Sequence, residues 1–201
     1  MKAAVVIVAH PDDEIIWSGG LILSNPDWDW TVLSLCRADD PDRSVRFRAV
    51  CERLGLEGII SDLDDGDPPA HIHLRRQIGR RVMDNVGRTG WDLCVTHGTN
   101  GEYGHLRHKQ VHQEVVSLVG RGMLRSRELW TFAYDCEASD AACGPSGDAD
   151  ILLTLSGEQL RRKKEIVRNE YGYAADSFEV RACISPESFR RKLVSGEELR
   201  S

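Results

Sequence analysis

The fold is decided by the segment AAVVIVAHPDDE, residues 3–14. Its first six residues are apolar and mostly β-branched, which predicts a buried strand. Pro11 cannot donate a ladder hydrogen bond and ends that strand, after which Asp12 or Asp13 is expected to cap a helix. His10 and the two carboxylates therefore lie at the C-terminal edge of a first strand, where open α/β sheets bind ligands. A helix cap beside a structural histidine is the plainer alternative, but a cap needs only one of these three side chains.

After this segment, strand patterns and helix patterns alternate along the chain. Strands are predicted at 29–36, 58–61, 91–96 and 129–134, and helices at 43–54, 74–86 and 105–120. Such alternation predicts a Rossmann-like α/β fold, with helices on both faces of a mostly parallel sheet. No linker or internal repeat interrupts the pattern, so residues 1–201 are expected to form a single domain.

The last third of the chain is less regular. An exposed loop is predicted at 136–150, a strand at 151–155 and a charged helix at 157–171. Loops of this kind can cover a functional site, but plain surface linkage is the simpler interpretation. The remaining residues, 172–201, carry no pattern that predicts a structure or a function.

Composition excludes several classes of protein. The net charge is −6 over 201 residues, so a nucleic-acid surface is not expected. The apolar runs are too short for a signal peptide or a membrane span. The six cysteines form no Cys-x-x-Cys pair, so reduced thiols in a cytoplasmic protein are expected. The oligomeric state is left open.

A second informative segment, GEYGHLRH at residues 101–108, follows the predicted fourth strand. It is expected at the same sheet edge as His10, and its histidines, His105 and His108, share a face because they are three residues apart. Three protein ligands with an open position describe a catalytic zinc centre, and His10, Asp13 and His108 can supply them. Two histidines and one carboxylate also suit Fe(II), which stays an alternative.

Other interpretations of the histidines remain open at this point. His105 and His108 by themselves are compatible with a polar helix face. His112, one turn beyond His108, is expected to be an ordinary helix residue, and His71 and His73 are expected on the surface of a loop.

Taken together, the two segments resemble the LmbE-like, or PIG-L, family of zinc-dependent N-acetylglucosamine deacetylases. The resemblance runs from residue 3 to about residue 120. It implies His10, Asp13 and His108 as metal ligands, Asp12 as the general base, and His105 as the group that faces the carbonyl oxygen of the substrate.

The same resemblance implies three substrate-binding residues, Arg43, Asp65 and Tyr103. The chain departs from the family where Leu106-Arg107 replaces the usual Pro-Asp between the two histidines. Without that Asp, His105 needs another carboxylate as its partner, and Glu102 is the nearest in sequence. Trp17 stands where the family often has a small residue; core packing is the favoured explanation, and a sugar-stacking wall is the alternative.

The resemblance implies a zinc-dependent hydrolase that removes the N-acetyl group from a small N-acetylglucosamine-type sugar and releases acetate. An amidase for larger N-acyl or thiol-sugar conjugates is the runner-up. A catalytically idle metal-binding α/β protein is a third possibility, which the second carboxylate, Asp12, disfavours. A nucleotide-binding oxidoreductase is disfavoured because no Gly-x-Gly-x-x-Gly follows the first strand.

Overall fold

The computed structural model describes residues 1–66, 71–87, 90–136 and 143–194. The strands are β1 (Ala3–Val8), β2 (Asp29–Cys36), β3 (Glu57–Leu63), β4 (Trp91–Thr96), β5 (Ser126–Phe132), β6 (Tyr134–Cys136), β7 (Cys143–Pro145), β8 (Ile151–Leu153) and β9 (Glu187–Leu193). The helices are α1 (Asp13–Ser24), α2 (Arg43–Leu54), α3 (His71–Val86), α4 (Gly101–Gly104), α5 (Leu106–Gly120), α6 (Gly157–Glu165) and α7 (Phe178–Ala182), with a π-helical turn at Ile166–Glu170.

One large sheet organises these elements. Its strand order is β3-β2-β1-β4-β5-β9-β8, while β6 and β7 pair separately. Strands β1 to β5 are all parallel, β9 is antiparallel to β5, and β8 is antiparallel to β9. The predicted Rossmann-like, mostly parallel sheet is therefore confirmed.

Helices cover both faces of the sheet, and the alternation of side chains along β1 shows how. Ala4, Val6 and Val8 join a buried cluster with residues of α1 and α2. Val5 and Ile7 point the other way and join a cluster with residues of α3 and α5. With both faces packed in apolar contact, the carboxyl edge of the parallel strands is left for polar groups.

The cysteine prediction is wrong for one pair. Cys136 and Cys143 lie directly opposite each other in the antiparallel β6–β7 pair, with their Cα atoms 4.1 Å apart, and form a disulfide. Directly opposed residues of an antiparallel ladder come this close, whatever their separation along the chain. Part of the predicted 136–150 loop is thus a short strand, and residues 137–142 lie outside the described residues.

Three other regions differ from the expectations. His71 and His73 belong to the beginning of α3 and not to a loop, so that helix starts earlier than predicted. The charged helix ends at Glu165 and gives way to the π-helical turn. Residues 172–201, which had no readable pattern, contain α7 and β9, because pairing with β5 rather than a local signal makes β9 a strand.

The length and hydropathy of the helices bear on the prediction about membrane spans. No helix in the described ranges is both long and apolar enough to cross a bilayer.

Candidate metal centre and active site

The candidate site lies at the carboxyl edge of the sheet, where β1 has β2 on one side and β4 on the other. The strand order reverses direction at this position, which is the usual ligand crevice of a doubly wound sheet. Residues 10–13 follow β1 directly and residues 97–108 follow β4. The two sequence segments therefore meet in space.

Three donor atoms from these segments face one another. His10 Nδ1 lies 3.2 Å from His108 Nε2, and Asp13 Oδ2 lies 3.3 Å from each of those nitrogens. Ligand atoms on a tetrahedral zinc ion, with bonds of about 2.0–2.1 Å, are roughly 3.3–3.4 Å apart. The residue types and the spacing of this set thus suit zinc.

A carboxylate also contacts the far side of each imidazole. Asp65 Oδ1 lies 3.1 Å from His10 Nε2, and Glu102 Oε2 lies 2.6 Å from His108 Nδ1. Burial disfavours charge on the two rings, but the neighbouring carboxylates outweigh it and raise the pKa of His10 to about 9 and that of His108 to about 10. The surroundings therefore favour positive charge where the three donors meet, as a site for a divalent cation requires.

Asp13 is fixed by hydrogen bonds to both of its oxygens. Its Oδ2 accepts the backbone N–H of His10 at 2.8 Å, and its Oδ1 accepts the indole N–H of Trp17 at 3.1 Å. Burial opposes ionisation of Asp13, but the charges of His108 and His97 lower its pKa well below the usual value. Trp17 is only 1% exposed and belongs to the buried core cluster, as core packing predicts, and it also borders the pocket described below.

His97 belongs to the site, although the sequence interpretation did not single it out. Its buried ring stacks on that of His108, with 3.9 Å between the ring centroids. Nδ1 lies 2.9 Å from Glu102 Oε2, and Nε2 accepts the backbone N–H of Ala9 at 2.9 Å. Because both nitrogens are used, His97 supports Glu102 and is not free to bind a metal. Its place directly after β4 was the signal available in the sequence.

Cys36 is another potential donor near the centre. Its sulfur lies within 4.8 Å of donor atoms of His10 and Asp65. Burial raises the pKa of the Cys36 thiol to about 12, and Asp65, the third member of that set, already bonds His10 and Arg37. The histidine and aspartate set is therefore the better candidate.

Asp12 lies beside the donor set and has different partners. Its Oδ2 accepts an N–H from Arg43 at 2.7 Å and the hydroxyl hydrogen of Tyr173. Burial and the neighbouring charge of Asp13 raise the pKa of Asp12 to about 6, against the opposing effects of Tyr173 and Arg43. Asp12 occupies the N-cap of α1, but its side chain makes no capping bond, so the predicted cap role is wrong for this residue.

Backbone strain is concentrated at this site. Within the described ranges, three residues other than glycine have positive φ: Asp12 at 115°, Arg37 at 73° and Glu102 at 58°. Side chains disfavour this region, and residues held there cluster at functional sites. Here the strained residues are the candidate base and the partners of Asp65 and His108.

His105 faces the centre from the start of α5. Its ring centroid lies 4.9 Å from that of His10 and 4.5 Å from that of His108. Its Nδ1 is buried and has no hydrogen-bond partner among the described residues. Burial, followed by the charges of His108 and His10, lowers the pKa of His105 to about 4, so the ring is neutral at pH 7. The expectation that Glu102 supports His105 is wrong, because Glu102 bonds His97 and His108 instead.

Arg107, which stands where the family usually has Asp, contacts Asp65 and Gln110. Its Nε lies 3.5 Å from Asp65 Oδ1, and its Nη1 donates to Gln110 at 2.8 Å. Arg37 also bonds Asp65, at 2.7 Å. Burial opposes ionisation of Asp65, but the bond to His10 and the nearby charges lower its pKa below the usual value. Asp65 thus contacts His10 and two arginines, and its oxygens are already bonded within the protein.

These side chains line an open pocket of about 160 Å³. The predicted site residues on its wall are His10, Asp12, Asp13, Arg43, Asp65, Tyr103 and His105, while His108 is fully buried behind them. Residues 171–183, called here the C-terminal arm, contribute Tyr173, Phe178 and Glu179 to the same wall. No sequence pattern had indicated these three residues.

This chain is similar to a known family and to curated deacetylases. The model of the PIG-L family, described as GlcNAc-PI de-N-acetylase, matches residues 5–119. A deacetylase of 1D-myo-inositol 2-acetamido-2-deoxy-alpha-D-glucopyranoside from Corynebacterium diphtheriae is 27% identical over 162 residues, an alignment that covers 63% of this chain and 55% of that protein.

Solved structures share the fold across nearly the whole chain. The N,N'-diacetylchitobiose deacetylase from Pyrococcus horikoshii has a TM-score of 0.66 and 12% identity, over 96% of this chain and 84% of that one. The 4-carboxy-2-hydroxymuconate hydratase from Pseudomonas putida also has a TM-score of 0.66, with 13% identity over 97% of each chain. Since a deacetylase and a hydratase share this fold, the likeness to solved structures establishes the architecture and not the reaction. The family match, which spans more than half of the chain and includes both site segments, establishes that the chain belongs to the PIG-L family.

Proposed function

We propose that this protein is a zinc-dependent N-deacetylase that hydrolyses the N-acetyl group of an N-acetylglucosamine-type sugar, releasing acetate and a free amine. The observation that carries the proposal is the triangle of donors from His10, Asp13 and His108, with Asp12 beside it in an open pocket. Three protein ligands and an open position are typical of catalytic zinc. Fe(II) is the alternative metal for the same ligands.

His10, Asp13 and His108 would hold the metal ion, which when bound would polarise an amide carbonyl and lower the pKa of water toward about 7. Asp12 is the proposed general base. Its Oδ2 is held by Arg43 and Tyr173, which leaves Oδ1 to accept the proton of the attacking water. With its pKa raised to about 6, Asp12 is ionised at neutral pH and basic enough to share a proton.

His105 and Tyr103 are proposed to act on the carbonyl side of the substrate. Both line the pocket, with 5.6 Å between their ring centroids. Burial raises the pKa of Tyr103, so its hydroxyl keeps its hydrogen, and a neutral His105 likewise has one N–H to donate. Two neutral donors can stabilise the developing oxyanion without a prior proton transfer.

Known relatives support an amino sugar as the substrate. The relative from Corynebacterium diphtheriae is named for a 2-acetamido-2-deoxy-glucopyranoside, and the family is named for GlcNAc-PI. We further propose that residues 1–201 work as one domain, because β8 and β9 extend the same sheet and the C-terminal arm lines the same pocket. A small sugar, rather than nucleic acid, is the proposed partner.

The test is acetate release from N-acetylglucosamine and its glycosides, with metal-free protein, zinc-loaded protein and Fe(II)-loaded protein. Release that a chelator abolishes and zinc restores is the expected result. The zinc-loaded Asp12→Asn variant serves as the control for adventitious hydrolysis. Activity that is indifferent to chelator, or absent on every N-acetyl sugar while larger N-acyl conjugates are cleaved, would reject this assignment.

A further inference from the structure

We propose that Glu179 is the residue that recognises the sugar hydroxyl groups, so that the pocket prefers neutral polyhydroxylated substrates over anionic ones. This inference rests on the proposed function and specifies how that same site selects its substrate. Glu179 belongs to α7 in the C-terminal arm, outside the region that the family model matches.

The carboxylates on the pocket wall differ in whether their oxygens already bond other groups of the protein. Asp12 and Asp65 each bond an arginine at 2.7 Å, and Asp13 faces the imidazoles of the donor set. Glu179 lines the same pocket, yet within the described part of the chain its side chain has no hydrogen bond or ion pair. Its acceptor oxygens are therefore available to a ligand.

The surroundings of Glu179 suit a sugar ring. Tyr103 and Phe178 form an edge-to-face aromatic pair in the same wall, with 4.9 Å between centroids. Burial is the main reason that the pKa values of Tyr103 and Tyr173 are raised, and the negative charge of Glu179 adds to both shifts. Glu179 thus lies near two aromatic side chains that can contact the apolar face of a sugar while it accepts hydrogen bonds from the hydroxyl groups.

The charge of Glu179 also decides what the pocket rejects. A hydroxyl that donates to an ionised carboxylate makes a charge-assisted hydrogen bond, which is stronger than a bond between neutral groups. A phosphate or carboxylate in the same position would be repelled, and the pocket arginines, Arg37 and Arg43, are already paired with Asp65 and Asp12. Neutral hydroxyl groups are therefore the favoured ligands.

Kinetics of two variants test the proposal. Glu179→Ala should raise KM for N-acetylglucosamine substrates by roughly 10- to 100-fold, the usual value of a hydrogen bond to a charged group, with a small change in kcat. Glu179→Gln keeps an acceptor and loses the charge, so it should lose less affinity and accept N-acetylglucosamine 6-phosphate better than the parent does. Asp176→Asn is the matched control, because Asp176 is an exposed carboxylate of the same arm that does not line the pocket.

A binding measurement separates this inference from the proposed function. N-acetylglucosamine is titrated into zinc-loaded protein that carries Asp12→Asn, with and without Glu179→Ala. If binding weakens with Glu179→Ala while the zinc-loaded parent, with Asp12 intact, releases no acetate from any N-acetyl sugar, the deacetylase assignment is rejected and the recognition role is retained. Equal binding with and without Glu179→Ala, or no binding by either protein, would overturn the recognition role even if the parent enzyme proves to be a deacetylase.

Discussion

The sheet edge and the C-terminal arm supply two walls of one pocket, and they are built differently. At the edge, short motifs follow parallel strands, and carboxylate–imidazole bonds fix the side chains. The arm is mostly irregular chain that follows the π-helical turn. Its buried Tyr171 donates to Glu14, which ties the arm to the helix that carries Asp13.

Because the two walls are built differently, we expect them to have different roles. The edge carries the donor set and the candidate base, whose geometry has to be precise because bond-making depends on it. The arm carries Tyr173, which donates to the candidate base, and Glu179, which is proposed to recognise the sugar. Substitutions at the edge should therefore abolish metal binding or turnover, whereas substitutions in the arm should change rate or KM within a smaller range.

The largest effect is expected from His108→Ala. This change removes one of three donors, and two remaining ligands hold zinc poorly, so the purified variant should lose most of its zinc together with its activity. Elemental analysis measures the zinc content. His112→Gln is the control, since His112 lies one turn further along α5 and its Nδ1 bonds the carbonyl of His97 at 2.6 Å instead of facing the centre. A His108→Ala protein with full zinc would remove His108 from the ligand set.

Asp12→Ala should separate metal binding from turnover. A positioned base contributes about 10²–10⁴ to the rate, so this variant should keep its zinc and lose that factor in kcat. Asp13→Ala should lose both zinc and activity. The zinc content and the kcat of both variants together show which aspartate is the metal ligand and which is the base. If Asp12→Ala loses the metal while Asp13→Ala keeps it, the two roles are exchanged.

Glu102→Gln should weaken metal binding without removing a donor. Glu102 bonds both His97 and His108, and such supporting carboxylates typically contribute about 10- to 100-fold to metal affinity. Competition with a chelator measures the affinity. Glu179→Gln makes the same chemical change in the arm and should leave the affinity for zinc unchanged. Equal zinc affinity in the parent and in Glu102→Gln would mean that His108 needs no carboxylate to orient it.

The smallest effect is expected from Tyr173→Phe in the arm. Loss of the hydroxyl that donates to Asp12 should lower kcat about 10-fold, because a hydrogen bond to a charged group is removed from the base. That bond also lowers the pKa of Asp12. Without it the pKa rises, and since the base acts in its deprotonated form, the acid limb of the pH profile should shift to higher pH. A lower rate with an unmoved acid limb would indicate that Tyr173 has only a structural role.

Much of the edge was predictable from residues that are close in sequence. The apolar run before His10 specifies a buried strand, and the helix pattern after His105 specifies α5, so both segments had to end at the same side of a parallel sheet. The partner of His105 was predicted wrongly because proximity in sequence is a poor guide to pairing. Glu102 is three residues away from His105, but its positive φ directs it to His97 and His108.

The sequence by itself determined the parallel sheet and the candidate donors, since strand propensity and motif spacing are local properties of the chain. Tertiary structure decided which carboxylate contacts which imidazole, how Asp12 is held, and which residues close the pocket. Tyr173 and Asp12 are 161 residues apart, and Asp65 and His10 are 55 apart. Contacts over such separations depend on how the whole sheet and its helices pack, and no local pattern encodes them.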